Sequence, residues 1–172
     1  MRFFAPFVIL VTLLALAVYA WLGGLKTPVV TLETPAAPVL LAGQSYRGLA
    51  DAPAFADLFR QAQQARDGGT VPGDLANLYR NNPEKARDTV QAFVGIAVAD
   101  SMRPLPTGWH YRAVAAGGRV VAARLRGVSY LLAPGKLYPA VLDKAKELKV
   151  PLREFYLERF GADDAELWLG VQ

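Results

Sequence analysis

The chain has 172 residues, 53% hydrophobic and 20% charged, which is room for one domain with an appendage and too apolar for a disordered chain. It has no cysteine and a single histidine, His110, which excludes disulfides, thiolate metal sites and a cysteine nucleophile and leaves no histidine set for zinc. The formal charge of +4, from 19 basic and 15 acidic side chains, is a mild excess and gives no reason to expect nucleic acid as a partner.

Residues 3–22 (FFAPFVILVTLLALAVYAWL) contain no charge. At about 1.5 Å rise per residue such a run matches the roughly 30 Å apolar core of a bilayer. Arg2 precedes it, Lys26 follows it, and Tyr19 and Trp21 stand where interfacial anchors stand. The expectation is a single-pass N-terminal transmembrane helix over residues 1–25, with a cleaved signal peptide ending near Ala20 as the alternative. Arg2 on the short side places the N-terminus in the cytoplasm and the rest of the chain outside it. Residues 26–37, broken by Thr and Pro, read as a linker leading into a first strand.

The remainder reads as one pattern written twice, over 38–100 and 109–172. PVLLAGQSYRG (38–48) resembles GRVVAARLRG (118–127), each an apolar strand closed by Arg and Gly. A helical stripe follows each: Phe55, Leu58, Phe59 and Ala62 in the first, with Asp51 as expected cap and Pro53 in the first turn. Leu137, Tyr138, Val141, Leu142, Ala145 and Leu148 form the second stripe, ended by Pro151. Short strands come next, LANLYR (75–80) and LREFYL (152–157), then closing strands AFVGIAV (92–98) and ELWLGVQ (166–172). Leu75, Asn77 and Tyr79 thus correspond to Leu152, Glu154 and Tyr156. The fold class expected is α+β, two βαββ modules related by a pseudo-twofold. Each module leaves one sheet face and one helix stripe for its partner, so a shared core and a cleft on the axis follow.

This layout resembles the GyrI-like small-molecule-binding domain, found in gyrase-inhibitor proteins and as the effector-binding part of bacterial transcription regulators. The resemblance covers residues 38–172 and rests on four stretches. Tyr79 to Glu84 (YRNNPE) is similar to the family's Tyr-x-Asp/Asn-x-Pro turn, Gly117 to Val121 to the opening of its second module, Pro151 to Tyr156 (PLREFY) to its Pro-x-x-Glu-x-Tyr strand, and LWLGV to its terminal strand. The resemblance implies that Glu154 is the acidic residue meeting polar or cationic ligands in the cleft, and in hydrolytic relatives the catalytic carboxylate.

Independently, Glu154 breaks the pseudo-symmetry, because its counterpart is Asn77. A carboxyl among aromatic residues loses hydration of its charged form, the condition for ligand recognition or for general acid–base work. The expected ligand-binding set is Glu154, Tyr156, Tyr79, Asn77, Trp109, Tyr111 and Tyr138, the aromatic members suiting flat organic ligands and cation–π contact. His110 reads as a surface imidazole, and Arg47, Arg124 and Arg126 as a solvated strand face, with Arg47 and Arg126 matched across the repeat as a candidate anion pair. The functional expectation is non-enzymatic binding of a small organic or lipid-like ligand at a membrane surface, without cofactor or metal and with no catalytic residue assigned. The alternatives are a small-molecule hydrolase with Glu154 as general base, or an interaction scaffold with a closed cleft.

Overall fold

The computed structural model describes residues 4–83 and 89–172, with side chains for all of these except residues 4–6 and Glu154. The elements run α1 (Phe4–Trp21), β1 (Val29–Glu33), β2 (Val39–Gly48), α2 (Pro53–Asp67), β3 (Asp74–Tyr79), β4 (Val90–Val98), β5 (His110–Val114), β6 (Val120–Arg126), α3 (Ala133–Glu147), β7 (Leu152–Phe160) and β8 (Asp164–Val171). The eight strands form one sheet in the order β1-β6-β8-β7-β3-β4-β2-β5, and every neighbouring pair is antiparallel.

Outward from the centre, β3-β4-β2-β5 on one side mirrors β7-β8-β6-β1 on the other. Tyr79 and Tyr156, equivalent in the two halves, lie directly opposite each other across the central pair. A local twofold therefore passes between them. The outermost strands are exchanged: β1 precedes β2 in the chain but pairs with β6, and β5 precedes β6 but pairs with β2. Each half is thus completed by a strand that leads into the other, and the stretch expected to be a linker (26–37) contains β1.

The connections also force the sheet to curl. Six strand spacings of about 4.8 Å would put β5 and β6 roughly 29 Å apart in a flat sheet, whereas six Cα steps from Val114 to Val120 reach at most about 22 Å. The edges must approach, and Val114 of β5 shares an apolar cluster with Val120 and Ala122 of β6, together with Leu41, Leu78, Phe93, Leu157 and Trp168. These line the concave face. The convex face carries α2 over the first half and α3 over the second, with Phe55, Val94, Leu137, Tyr138, Val141, Tyr156, Leu167 and Leu169 between the layers. Being covered on both sides, β4 and β8 are apolar in near-continuous runs rather than in alternation.

α2 starts on Pro53 and α3 starts on Ala133 with Pro134 second, so each carries a proline in its first turn, where the fixed φ suits a helix start. Asp51 is not the cap of α2; the residue there is Ala52, with no side-chain hydrogen bond. Pro139 is tolerated within the second turn of α3, and Lys149, at φ 53°, turns the chain towards Pro151 and β7.

In α1 the described side chains run from Phe7 to Trp21, and nearly all are exposed, Phe7 at 64% and Trp21 at 83%. The helix has no polar face, and each large exposed side chain from Phe7 to Trp21 leaves about 1.5–3 kcal/mol of burial unrealised. Among the described residues no helix is long and apolar enough to cross a membrane, so the span expected over 3–22 is not shown; Arg2 and Phe3 lie outside the described residues. The end of α1 is fixed to the domain, Ser129 N–H donating to the Leu22 carbonyl at 2.9 Å and Lys136 Nζ to the Lys26 carbonyl at 2.7 Å.

Candidate functional site

Between α2 and α3, over the central strands, a cleft of about 400 Å³ opens on the convex face. Phe59, Ala62 and Gln63 of α2 form one wall, Tyr130, Pro134 and Tyr138 the other, and Leu75, Asn77 and Tyr79 of β3 with Glu158 and Phe160 of β7 the floor. Strand alternation puts Asn77 and Tyr79 on one face of β3 and Tyr156, Glu158 and Phe160 on the same face of β7.

Glu158 is the centre of this floor and is buried, at 6% exposure. Asn77, its register partner, donates Nδ2–H to Oε2 at 3.0 Å. Tyr138 donates its hydroxyl to Oε1 at 2.9 Å, and the Tyr79 hydroxyl also hydrogen-bonds the carboxylate. Burial, and then the Glu158 charge and hydrogen bond, push the Tyr79 phenol well above its usual value of 10, so it stays a donor. Tyr156 stacks on Tyr138 with ring centroids 5.9 Å apart, backing the wall. The result is a carboxylate held by amide and phenol donors in an otherwise apolar, aromatic cleft, an arrangement suited to recognising a positive or proton-donating group.

Of the residues expected to meet here, the fold brings together Asn77, Tyr79, Tyr138 and Tyr156. Glu154 is not the register partner of Asn77: it lies where the β7–β8 ladder is irregular, between Leu152 and Tyr156. Its side chain is outside the described residues, so the ligand and hydrolytic roles expected of it have no geometry to rest on. Trp109 and Tyr111 stand apart, at the β5 edge. Trp109 is half-buried against the core, and Tyr111 donates its hydroxyl to the Arg103 carbonyl at 2.8 Å beside a small hollow. Glu84, which closes the Tyr79–Glu84 motif, is outside the described residues.

The basic residues are also rearranged. Arg47 and Arg126 are exposed on β2 and β6 with four strands between them, so they make no pair. Arg124 stays partly exposed but is ion-paired: it bridges Glu33 and Glu166, while Arg159 also pairs with Glu166. His110 is exposed, with Nε2 3.4 Å from Ser45 Oγ and its ring edge-on to Phe93.

Glu158 lies outside the expected set because the sequence pattern places the end of that strand at Leu157. The signal was present: Leu152, Glu154, Tyr156, Glu158 and Phe160 keep one parity through LREFYLERF. In an antiparallel pair centred on Tyr79 and Tyr156, the residue two before Tyr79 faces the residue two after Tyr156.

No protein-family model matches the chain, and no curated protein sequence matches it. Solved structures do. An integron cassette protein, VCH_CASS2, from the mobile metagenome of Vibrio cholerae superposes with a TM-score of 0.60 at 15% identity, over 83% of this chain and 95% of that one. The C-terminal domain of EcmrR gives 0.58 at 12% identity, over 86% and 99%. SAV2435, solved bound to tetraphenylphosphonium, gives 0.57 at 10% identity, over 84% and 94%. At these identities the likeness is one of fold, and it agrees with the GyrI-like layout expected from the sequence.

Proposed function

We propose that the chain is a small-molecule-binding domain that takes an organic cation, or a neutral ligand rich in hydrogen-bond donors, in the cleft over Glu158. One observation carries this: a carboxylate buried at 6% exposure on the floor of an aromatic cleft of about 400 Å³, with its oxygens held by Asn77, Tyr79 and Tyr138. A ligand cation would replace lost hydration with this fixed charge, and the faces of Tyr130, Tyr138 and Phe59 would meet its apolar body. The fold likeness to SAV2435, solved with a lipophilic cation, supports the same reading.

The test is titration with tetraphenylphosphonium. The wild-type chain should bind it, and Glu158→Gln, which keeps shape and removes charge, should weaken binding about 10- to 100-fold, the scale of one charge-assisted contact. Equal affinity in the two proteins would remove Glu158 from the site.

A membrane location is part of the same proposal. The uncharged run over 3–22 and the unpartnered apolar surface of α1 support an anchor, with the domain on the extracytoplasmic side. The bond from Ser129 to Leu22 ties α1 to the segment that continues into Tyr130 on the cleft rim, a placement suited to a ligand that partitions into lipid. The chain should resist carbonate extraction from membranes, and protease added to intact cells stripped of their outer layers should digest the domain. Release by carbonate would count against the anchor.

A further inference from the structure

The concave face of the sheet holds a second and larger cavity, of about 690 Å³. It is separated from the Glu158 cleft by the sheet itself, since Leu78 and Arg80 alternate with Asn77 and Tyr79 along the strand and its end. Leu78, Phe155 and Trp168 line it with apolar and aromatic surface, and four arginines line it too, Arg80, Arg112, Arg153 and Arg119, the last donating Nη1–H to the Gln172 carbonyl at 3.2 Å. No carboxylate lines it among the described residues.

The other end of the same face shows what the fold does with arginines it neutralises internally. There Arg124 pairs with Glu33 and Glu166, and Arg159 with Glu166, at 2.5–2.9 Å. Arg159 also lies over the Trp168 ring, 5.4 Å from its centroid. Among the described residues Arg112 has no such carboxylate partner. Its guanidinium lies 5.6 Å from the centre of the Phe93 ring, and burial, followed by repulsion from Arg80, lowers its pKa from the usual arginine value. Trp168 contributes an independent sign: it is 7% exposed, and its indole N–H is buried with no hydrogen-bond partner among the described residues. A buried donor and a half-buried cation beside an aromatic floor are both groups that an anionic ligand would satisfy.

We infer that this concave cavity is a second binding site, for a small organic anion whose carboxylate, sulfonate or phosphate group meets Arg80, Arg112 and Arg153 while its flat apolar body lies on Phe155 and Trp168. The planar guanidinium fork suits such groups, which it contacts through two parallel N–H donors, and stacks on flat ligands as well. The two faces of one sheet thereby recognise opposite charges: an acid under aromatic rings on the convex side, arginines over aromatic rings on the concave side.

The test uses the full chain in a nonionic detergent, titrated calorimetrically with 2-naphthalenesulfonate, against detergent-only blanks. Naphthalenesulfonate should bind, and neutral 2-naphthalenemethanol and inorganic sulfate should each bind at least tenfold more weakly, because each supplies half of the recognition. Arg112→Gln combined with Arg153→Gln should weaken naphthalenesulfonate at least tenfold and leave tetraphenylphosphonium unaffected, while Glu158→Gln should leave naphthalenesulfonate unaffected. If the double variant does not fold, Arg153→Gln alone, at an exposed position, should still weaken the anion severalfold. Absence of binding at millimolar anion, equal affinity in the arginine variants, or competitive displacement of the anion by tetraphenylphosphonium would each overturn the second site.

Discussion

Asn77 and Glu158 face each other in the register of the two central strands, and the Asn77 amide donates to the Glu158 carboxylate at 3.0 Å. The bond joins the two halves at the floor of the cleft, 81 residues apart in the chain. Removing one partner leaves a buried polar group unsatisfied, which costs about 1–3 kcal/mol. Asn77→Leu should therefore destabilise the fold by that amount in urea denaturation. Adding Glu158→Leu should recover much of the loss, since two apolar groups of similar shape leave nothing unpaired. A double variant as unstable as the sum of the singles would show that the pair is not coupled.

Alkaline stability should depend on Tyr79. Its folded pKa is raised, chiefly by burial and then by Glu158, so the unfolded chain gives up this proton from about pH 10 while the folded chain keeps it. The stabilisation is complete below that pH and is lost as pH rises beyond it, with a slope of up to about 1.4 kcal/mol per pH unit. Tyr79→Phe should flatten the alkaline limb of a stability–pH curve. An unchanged limb would mean that Tyr79 is not the group responsible.

Acid stability has a separate source. The hydrogen bond from Arg124 is the main cause holding the Glu33 carboxyl below its ordinary 4.5. That contribution is present above the unfolded value and is lost as pH falls through the lowered one. Glu33→Gln should remove this part of the acid transition and leave alkaline behaviour alone, which denaturation midpoints at pH 3 to 6 would report.

Two glycines should respond with opposite signs to alanine. Gly43 and Gly95 are register partners, and a Cβ on Gly95 would lie 2.0 Å from the Ala42 carbonyl oxygen and 2.6 Å from the Gly43 Cα. Gly95→Ala should cost about 1–3 kcal/mol or more. Gly135 lies in α3 with open space around its Cβ direction, so Gly135→Ala should stabilise by about 0.5–1 kcal/mol. Thermal melts of the two variants decide both.

Neither half should fold alone. Residues 38–100 lack β5, which pairs with β2, and β7, which pairs with β3. Starting the fragment at residue 26 should not rescue it, because β1 pairs with β6 of the other half. A cooperative monomeric transition from either fragment would contradict a core shared through exchanged strands.

The sequence by itself determined the elements and their repetition, because these rest on local signals. Apolar spacing marks α2 and α3, β-rich runs mark β2, β3, β4, β6, β7 and β8, and the shared Leu-x-Asn/Glu-x-Tyr spacing matches Tyr79 to Tyr156. Even the all-apolar character of α1 is legible in residues 3–22, since it needs no partner to be seen.

Tertiary structure decided which residues meet. Equivalence in a repeat runs in the same direction along both halves, pairing Asn77 with Glu154, whereas contact across a twofold axis runs in opposite directions, pairing Asn77 with Glu158. The same reversal carries β1 and β5 to each other's halves and forces the sheet to curl. The curl then gathers Arg80, Arg112, Arg119 and Arg153, distant in sequence, around Trp168, while Arg47 and Arg126, matched in the repeat, are left far apart. Local propensity writes the strands; the antiparallel register and the short connections between distant strands determine what each one faces.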